Sequence, residues 1–434
     1  MIQTTIERMG ISSLKPMQED ALKAIQPGKN IVLLSPTGSG KTLAFLLPLL
    51  RMLDSNVAGV QALVLAPSRE LALQIEQVFR KMQTGFKVNA CYGGHPMRTE
   101  RNNLKEPPAL LVGTPGRIAD HLRRGSFDPS RIHYLVLDEF DKSLELGFKN
   151  EMEFIVRELF GLKTRVLTSA TAIDEIPAFT GVTEPVFINF TSDEPLQRLN
   201  LCGVRAEGTD KLAILFNLIC HLGNEASLIF CNHRETVERI SDLLSGQGIV
   251  HGKYHGGMEQ EDREMALIKF RNGTHHLLLT SDLASRGLDI PEIKNVIHYQ
   301  LPTTHTAWLH RNGRTARMHA HGTAWLVMAA DDYVPDFISE QIQFVDVLHE
   351  NEIPDLPVWE TLYIGAGKKD KISKGDIAGF LLQKGKLDKD DVGKIEVLDY
   401  ASFAAVKRKF VKHVLLRITR EQIKKKTVKI DIAR

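Results

Sequence analysis

Ser35-Pro36-Thr37-Gly38-Ser39-Gly40-Lys41-Thr42 follows the apolar run Ile31-Val32-Leu33-Leu34 and precedes Leu43-Ala44-Phe45-Leu46-Leu47, a segment of helical character. A strand, a glycine-rich turn and a helix that opens with Lys-Thr form the P-loop arrangement. Its successive backbone N–H groups and helix N-terminus surround phosphate oxygens. In this pattern Lys41 reaches the β- and γ-phosphates and the Thr42 hydroxyl ligates Mg²⁺. The cradle comprises Ser35, Pro36, Thr37, Gly38, Ser39 and Gly40, with Ser35 at a position where the general pattern has glycine.

Working outward, the chain to about residue 190 alternates short apolar runs with longer helix-like stretches. The expected strands are 31–34, 62–66, 109–113, 134–138, 165–168 and 186–188. They are almost continuously hydrophobic, as strands buried on both faces of a parallel sheet must be. Ligands of such sheets bind at the carboxyl ends of the strands. Asp138-Glu139-Phe140-Asp141 stands at one of those ends, after Tyr134-Leu135-Val136-Leu137. An acid there, in the same domain as a P-loop, is a Walker B arrangement: Asp138 to hold Mg²⁺ and Glu139 to orient or deprotonate the attacking water.

The polar stretch 191–195 leads to a second series of apolar runs at 227–231, 276–280, 295–299 and 323–328, with a helical pattern over 261–270. This reads as a second α/β domain without a P-loop. Arg311, Arg314 and Arg317 recur there at three-residue spacing. Alone, such spacing describes a solvated helix face. Beside an ATP site it reads as a source of arginine fingers for the γ-phosphate. Two prolines and two acids at 351–357 mark a second linker. Beyond it, 361–364 (strand), a helix capped by Ser373 with Asp376 at its third position, and strands at 395–398, 403–406 and 428–432 suit a β-α-β-β-α-β order.

The totals describe 434 residues with a net charge of +2. That small value hides an asymmetry: residues 361–434 hold 19 Lys/Arg against 9 Asp/Glu, and the other 360 hold 36 against 44. A basic tail on a mildly acidic body suggests a polyanion-binding appendage. The longest apolar run, near Leu43–Leu50, is interrupted by Pro48, so no membrane span is expected. Four cysteines lie far apart and read as free thiols of a cytoplasmic protein.

Taken together, these motifs resemble the DEAD-box RNA helicases of superfamily 2 over roughly residues 10–345. The resemblance implies two RecA-like parallel-sheet α/β domains in tandem plus a C-terminal α+β RRM-like domain, expected at 1–195, 205–348 and 358–434. It implies that Gln18, in Pro16-Met17-Gln18, reads adenine. Arg69, Gly93, Gly94, Thr114 and Arg117 match the first-domain RNA contacts, and Gln260, Arg263 and Thr280 those of the second. Ser169 and Thr171 match the segment coupling hydrolysis to strand separation. Asp289 matches the ribose-side aspartate, and Arg314 and Arg317 the γ-phosphate fingers.

Three departures stand out. Phe140 occupies the place of the family's alanine, Asn312 and Ala316 replace the usual Ile and Gly beside the fingers, and the aromatic that usually precedes Gln18 and stacks on adenine has no room. The last predicts weaker hold on the base. The tail is similar to the RNA-binding domain that ends DbpA-type bacterial helicases, carried by residues 361–372 and 393–399. Its aromatic RNA-binding signature is not intact, so Lys368, Lys369, Lys371, Lys374 and the run 424–426 are expected to dominate RNA contact. The resemblance implies a monomeric ATP-dependent and Mg²⁺-dependent RNA helicase, docked by its tail on a large-subunit rRNA hairpin during ribosome assembly and tethered near its target. An ATP-gated RNA clamp with little unwinding is the alternative.

Overall fold

The computed structural model describes residues 2–36, 38–94, 96–171, 175–191, 199–282, 293–313, 315, 322–347, 352–419, 421–424 and 426–433. The described residues fall into two compact units, those up to 191 and those from 199 onward. Thr37, Asp289, Arg314, Arg317 and Lys425 lie outside the described residues. Among those described, no helix is long and apolar enough to cross a membrane.

In the first unit seven strands form one parallel sheet: β1 Asn30–Leu34, β2 Ala62–Leu65, β3 Val88–Cys91, β4 Leu110–Gly113, β5 Tyr134–Leu137, β6 Thr164–Ser169 and β7 Val186–Asn189. Their order is β3-β4-β2-β5-β6-β1-β7. The apolar runs are continuous because the sheet is covered on both faces. Ile31 and Leu33 of β1 join one core with Val64, Val112 and Val166. Val32 and Leu34 point the other way, into a core with Leu65, Leu137 and Phe140. This two-residue alternation is the geometry of a strand. β3 escaped the sequence reading because Val-Asn-Ala-Cys carries too little apolar character to stand out.

The second unit contains β8 Leu199–Arg205, β9 Ser227–Phe230, β10 Gly252–Tyr254, β11 Leu277–Thr280, β12 Asn295–His298, β13 Gly322–Met328 and β14 Gln343–Phe344. All pair in parallel, in the order β10-β11-β9-β12-β13-β8-β14. That is the first sheet's order strand for strand. β8 begins at Leu199, ahead of the boundary expected at 205, and its Asn200 and Gly203 break the apolar pattern that would have revealed it. β10 and β14 are short and partly exposed, so they too were missed.

The remainder of this unit is an antiparallel sheet of β15 Trp359–Ile364, β16 Val392–Val397, β17 Ser402–Lys407 and β20 Ile430–Ile432, ordered β16-β17-β15-β20, with a hairpin of β18 Gln422–Ile423 and β19 Lys426–Thr427. Ser373 caps the helix Lys374–Gln383 in a reciprocal capping box with Asp376, as its spacing predicts. One face of this sheet, through Leu362, Ile364, Ala404 and Val406, packs on the tail's own helices.

The other face is covered by the neighbouring α/β domain. Phe403 packs with Ile268 and Met265 of the helix Gln260–Arg271, beside Tyr363 and Ala433. Thr274 and Thr361 share a hydrogen bond of 2.6 Å, Asn272 Nδ2 donates to Thr361 Oγ1 at 3.2 Å, and Arg408 Nη2 donates to the Thr274 carbonyl at 3.1 Å. Arg271 makes a two-pronged pair with Glu396, at 2.8 and 2.7 Å. The tail is thus a domain docked on its neighbour through its sheet. The sequence concealed this because each docking residue is an ordinary member of its own strand or helix.

The Arg271–Glu396 pair is mostly shielded from solvent, where charge-assisted bonds are worth about 1.5–3 kcal/mol. Arg271→Glu should lower unfolding stability of the 198–434 unit by about that amount. The exchanged pair Arg271→Glu/Glu396→Arg should recover at least half of it, measured by a double-mutant cycle in urea.

Candidate active site

Gly38 and Gly40 have φ of 81° and 102°, left-handed values that glycine adopts without strain. A side chain on Gly40 would also strike Gln18 Nε2 at 2.6 Å. This is where the strand-to-helix turn becomes a cradle: β1 ends at Leu34 and the helix Lys41–Met52 starts with its N–H groups facing the turn. The Lys41 amine is buried and donates to the Ser35 carbonyl at 2.5 Å and the Pro36 carbonyl at 3.3 Å. Those oxygens hold the ammonium where phosphate oxygens would replace them. Ser35 N–H donates to the Ser169 carbonyl at 3.0 Å, joining the cradle to β6.

Gln18 is buried and braces the loop. Its Oε1 accepts from Lys15 N–H at 3.0 Å and its Nε2 donates to the Gly40 carbonyl at 3.3 Å. Lys15 Nζ adds a bond to the Ser39 carbonyl at 2.9 Å. Lys15 carries no motif signal, and only the fold reveals it as a support of the loop.

Asp138 caps β5 and is 3% exposed. Burial pushes its carboxyl above the ordinary range, while the Thr168 hydroxyl and the Lys41 charge pull the other way. Thr168 Oγ1 donates to Asp138 Oδ1 at 2.5 Å and accepts from Glu139 N–H at 3.2 Å. Glu139 adopts φ 46° and ψ 53°, a left-handed conformation that costs a non-glycine residue roughly 1–3 kcal/mol. Such strain concentrates at functional turns. Thr168 was not singled out in the sequence because it lies within an apolar strand one residue before Ser169.

Asp141 Oδ2 accepts from Thr171 Oγ1 at 3.0 Å, and Ser169 Oγ donates to the Thr171 carbonyl at 2.6 Å. The acidic tetrad and the Ser169–Thr171 segment are thus one hydrogen-bonded unit. Phe140 points away from it into the core, wholly buried, with its ring 6.3 Å from that of Phe179. The larger residue is accommodated within this apolar core. Thr42 and Asp138 offer hard oxygen donors of the kind Mg²⁺ prefers.

Among the first unit's expected RNA contacts, Gly93 and Gly94 are exposed and Gly93 has open space where a side chain would be. Arg69 lies over the Tyr92 ring at 4.5 Å, and Arg117 opens the helix Pro115–Arg123. In the second unit Gln260 accepts from Arg263 Nη2 at the start of its helix. The Thr280 hydroxyl faces inward, against the Tyr254 and Ser281 carbonyls, both at 2.8 Å. Arg311 is fully buried, bonded to Asp282, the Gln300 carbonyl and Asn232 at 2.6–3.1 Å. It is a structural arginine. Asn312 accepts from His298 at 3.0 Å; burial and the Arg311 charge push this imidazole down to about 3, so it stays neutral.

In the tail, Lys368, Lys369, Lys371 and Lys374 are exposed. Lys424 and Lys426 pair with Asp376 at 2.7 Å and Asp370 at 2.8 Å, which offsets part of their charge. RRM sheets stack bases on aromatic residues of their open face; here that face holds Phe403 and lies against the helix Gln260–Arg271.

Three families match consecutive parts of the chain: DEAD/DEAH box helicase over residues 15–179, Helicase conserved C-terminal domain over 210–319, and DbpA RNA binding domain over 361–432. The chain is 31% identical to the ATP-dependent RNA helicase DbpA of Escherichia coli, over 99% of this chain and 96% of that one. It is 29% identical to the ATP-dependent RNA helicase DbpA of Bacillus subtilis, over 100% and 97%. Saccharomyces cerevisiae Dbp5 bound to RNA and ADP BeF3 is similar in structure, with TM-score 0.70, 26% identity, and 79% of this chain and 93% of that one covered.

Phe140→Ala removes a fully buried ring, a change that costs about 3–5 kcal/mol. It should lower the urea stability of the 1–197 unit by that amount, whereas Phe140→Leu should retain most of it.

Proposed function

Because the chain belongs to the DEAD-box ATP-dependent RNA helicases, and is on that ground an RNA-dependent ATPase, we propose that it locally opens structured RNA in the cytoplasm, with large-subunit ribosomal RNA during ribosome assembly as its target. The DbpA-type RNA-binding domain supports that choice of target. It would direct the protein there through Lys368, Lys369 and Lys371, and the protein would act as a monomer.

The observation that carries the ATPase half is the wiring of Lys41, Asp138 and Glu139 at adjoining strand ends, through Thr168 and the Ser35–Ser169 bond. Lys41 would exchange its two carbonyl partners for phosphate oxygens. Gln18, already bonded to the Gly40 carbonyl, would sense the base beside the loop. Thr42 and Asp138 would hold Mg²⁺, which when bound neutralises charge on the phosphates. Glu139, fixed by its backbone bond to Thr168, would orient or deprotonate the attacking water. Arg314 and Arg317 would supply positive charge to the γ-phosphate, an effect worth about 10³–10⁵ in rate, and Asp289 would hold the ribose.

RNA would run along Arg69, Gly93, Gly94, Thr114 and Arg117 of the first unit and Gln260 and Arg263 of the second; Thr280, expected to join them, is buried with its hydroxyl turned inward. Bending one strand expels its partner. A duplex DNA step is worth roughly 1.4 kcal/mol, and RNA is of similar order, so one closure suffices for a few steps. Ser169 and Thr171, bonded to each other and, through Thr171, to Asp141, would carry the change at the phosphate to the RNA surface.

Glu139→Gln should keep ATP binding and lower RNA-stimulated turnover by about 10²–10⁴, the usual weight of a general base, measured by steady-state ATPase and displacement of a short RNA duplex. Wild-type turnover without displacement would favour the clamp. In cells, crosslinking should recover ribosomal RNA with the wild type and lose that enrichment in Lys368→Ala/Lys369→Ala/Lys371→Ala.

A further inference from the structure

Glu100 belongs to no motif, yet it is 4% exposed and lies where three expected RNA-contacting segments converge. A buried carboxylate is tolerated only with strong partners. Glu100 Oε1 accepts from Tyr92 N–H at 3.0 Å, and its Oε2 accepts from His121 Nε2 at 2.8 Å, with Arg117 Nε at 3.5 Å. Tyr92 immediately precedes Gly93-Gly94, and its ring carries the Arg69 guanidinium at 4.5 Å. Arg117 ends Thr114-Pro115-Gly116-Arg117, and His121 follows one turn later on the same helix. The backbone is joined at the same place, since Thr114 N–H donates to the Cys91 carbonyl at 3.1 Å.

Cys91, Glu100 and His121 also bring potential ligand atoms within 4.8 Å of one another. A metal does not fit the chemistry. Both carboxylate oxygens are engaged, the Arg117 cation stands beside them, and burial together with Glu100 pushes the Cys91 thiol up, so it stays protonated. Metal binding requires the thiolate.

We propose that Glu100 is a positioning residue for RNA: its carboxylate sets the Gly93-Gly94 backbone and the Arg117 guanidinium in one geometry before RNA arrives. Preorganisation strengthens binding because ordering the loop and a long side chain is no longer charged against association. The hydrogen bonds to Tyr92 and His121 set the backbone and the helix, while the Arg117 pair sets the guanidinium. The proposal rests on the RNA-dependent ATPase reading and adds a residue that touches no RNA itself.

The test measures ATPase activity of the full chain against concentration of a single-stranded oligouridine RNA, at fixed salt and saturating ATP. Glu100→Ala should raise the RNA concentration for half-stimulation about tenfold, equivalent to about 1.4 kcal/mol. The maximal rate and KM for ATP should stay within about twofold. Glu100→Gln keeps an acceptor for Tyr92 N–H and a polar partner for His121, and should return half-stimulation to within about threefold of wild type. Added to Arg117→Ala, Glu100→Ala should raise it by less than the same change does alone, because the two act through one guanidinium. If Glu100→Ala fails to fold, Glu100→Met, similar in volume but unable to accept either bond, takes its place. An unchanged half-stimulation, a parallel rise in KM for ATP, or effects that multiply fully with Arg117→Ala would overturn the proposal. Absence of RNA stimulation in the wild type would overturn the ATPase reading and this proposal together.

Discussion

The Thr168 hydroxyl holds the nucleotide site together. It donates to Asp138 Oδ1 and accepts from Glu139 N–H, so one side chain on β6 fixes two acids at the end of β5. This matters because the acids are buried beside a buried ammonium. In low dielectric, displacement of any one of the charges leaves the others uncompensated. The parallel sheet supplies the rigidity, since β5, β6 and β1 are consecutive neighbours in it. The left-handed Glu139 persists because neighbours on both sides over-determine its backbone.

The same economy explains how departures from the general P-loop pattern and from the family pattern are absorbed. Ser35 stands where glycine is usual, and it contributes a backbone N–H to β6 and a carbonyl to Lys41, neither of which depends on its side chain. Phe140 turns into an apolar core and meets Phe179. Asn312 finds His298 as its partner in a region closed to water. Phe140 and Asn312 each find their partners inside their own unit, in an apolar core and at a buried imidazole.

Two domains of the second unit are joined by a helix with separate duties along its length. Gln260 and Arg263 occupy its first turns, while Ile268 and Arg271 hold the tail sheet at its other end. A sheet face that other RRM-type domains leave open for bases is thereby committed to a protein contact. Base stacking on Phe403 is excluded in this arrangement, whereas the lysines at 368, 369, 371 and 374 are among the tail's exposed basic residues.

The P-loop, the strand-end acids and the alternation of apolar runs with helices were legible in the chain because each rests on local rules. Phosphate cradling needs glycine at fixed spacing, and strands covered on both faces must be apolar throughout. The sequence alone therefore determined the α/β class, the nucleotide half-site and the character of the tail. Contacts between segments distant in the chain carry no such local mark. Thr168 beneath two acids, Lys15 behind the loop, Glu100 linking β3 to the helix Pro115–Arg123, and the tail sheet on the helix Gln260–Arg271 were decided only by the tertiary structure. There, burial removes water as a competing partner and makes each polar side chain's choice of neighbour binding.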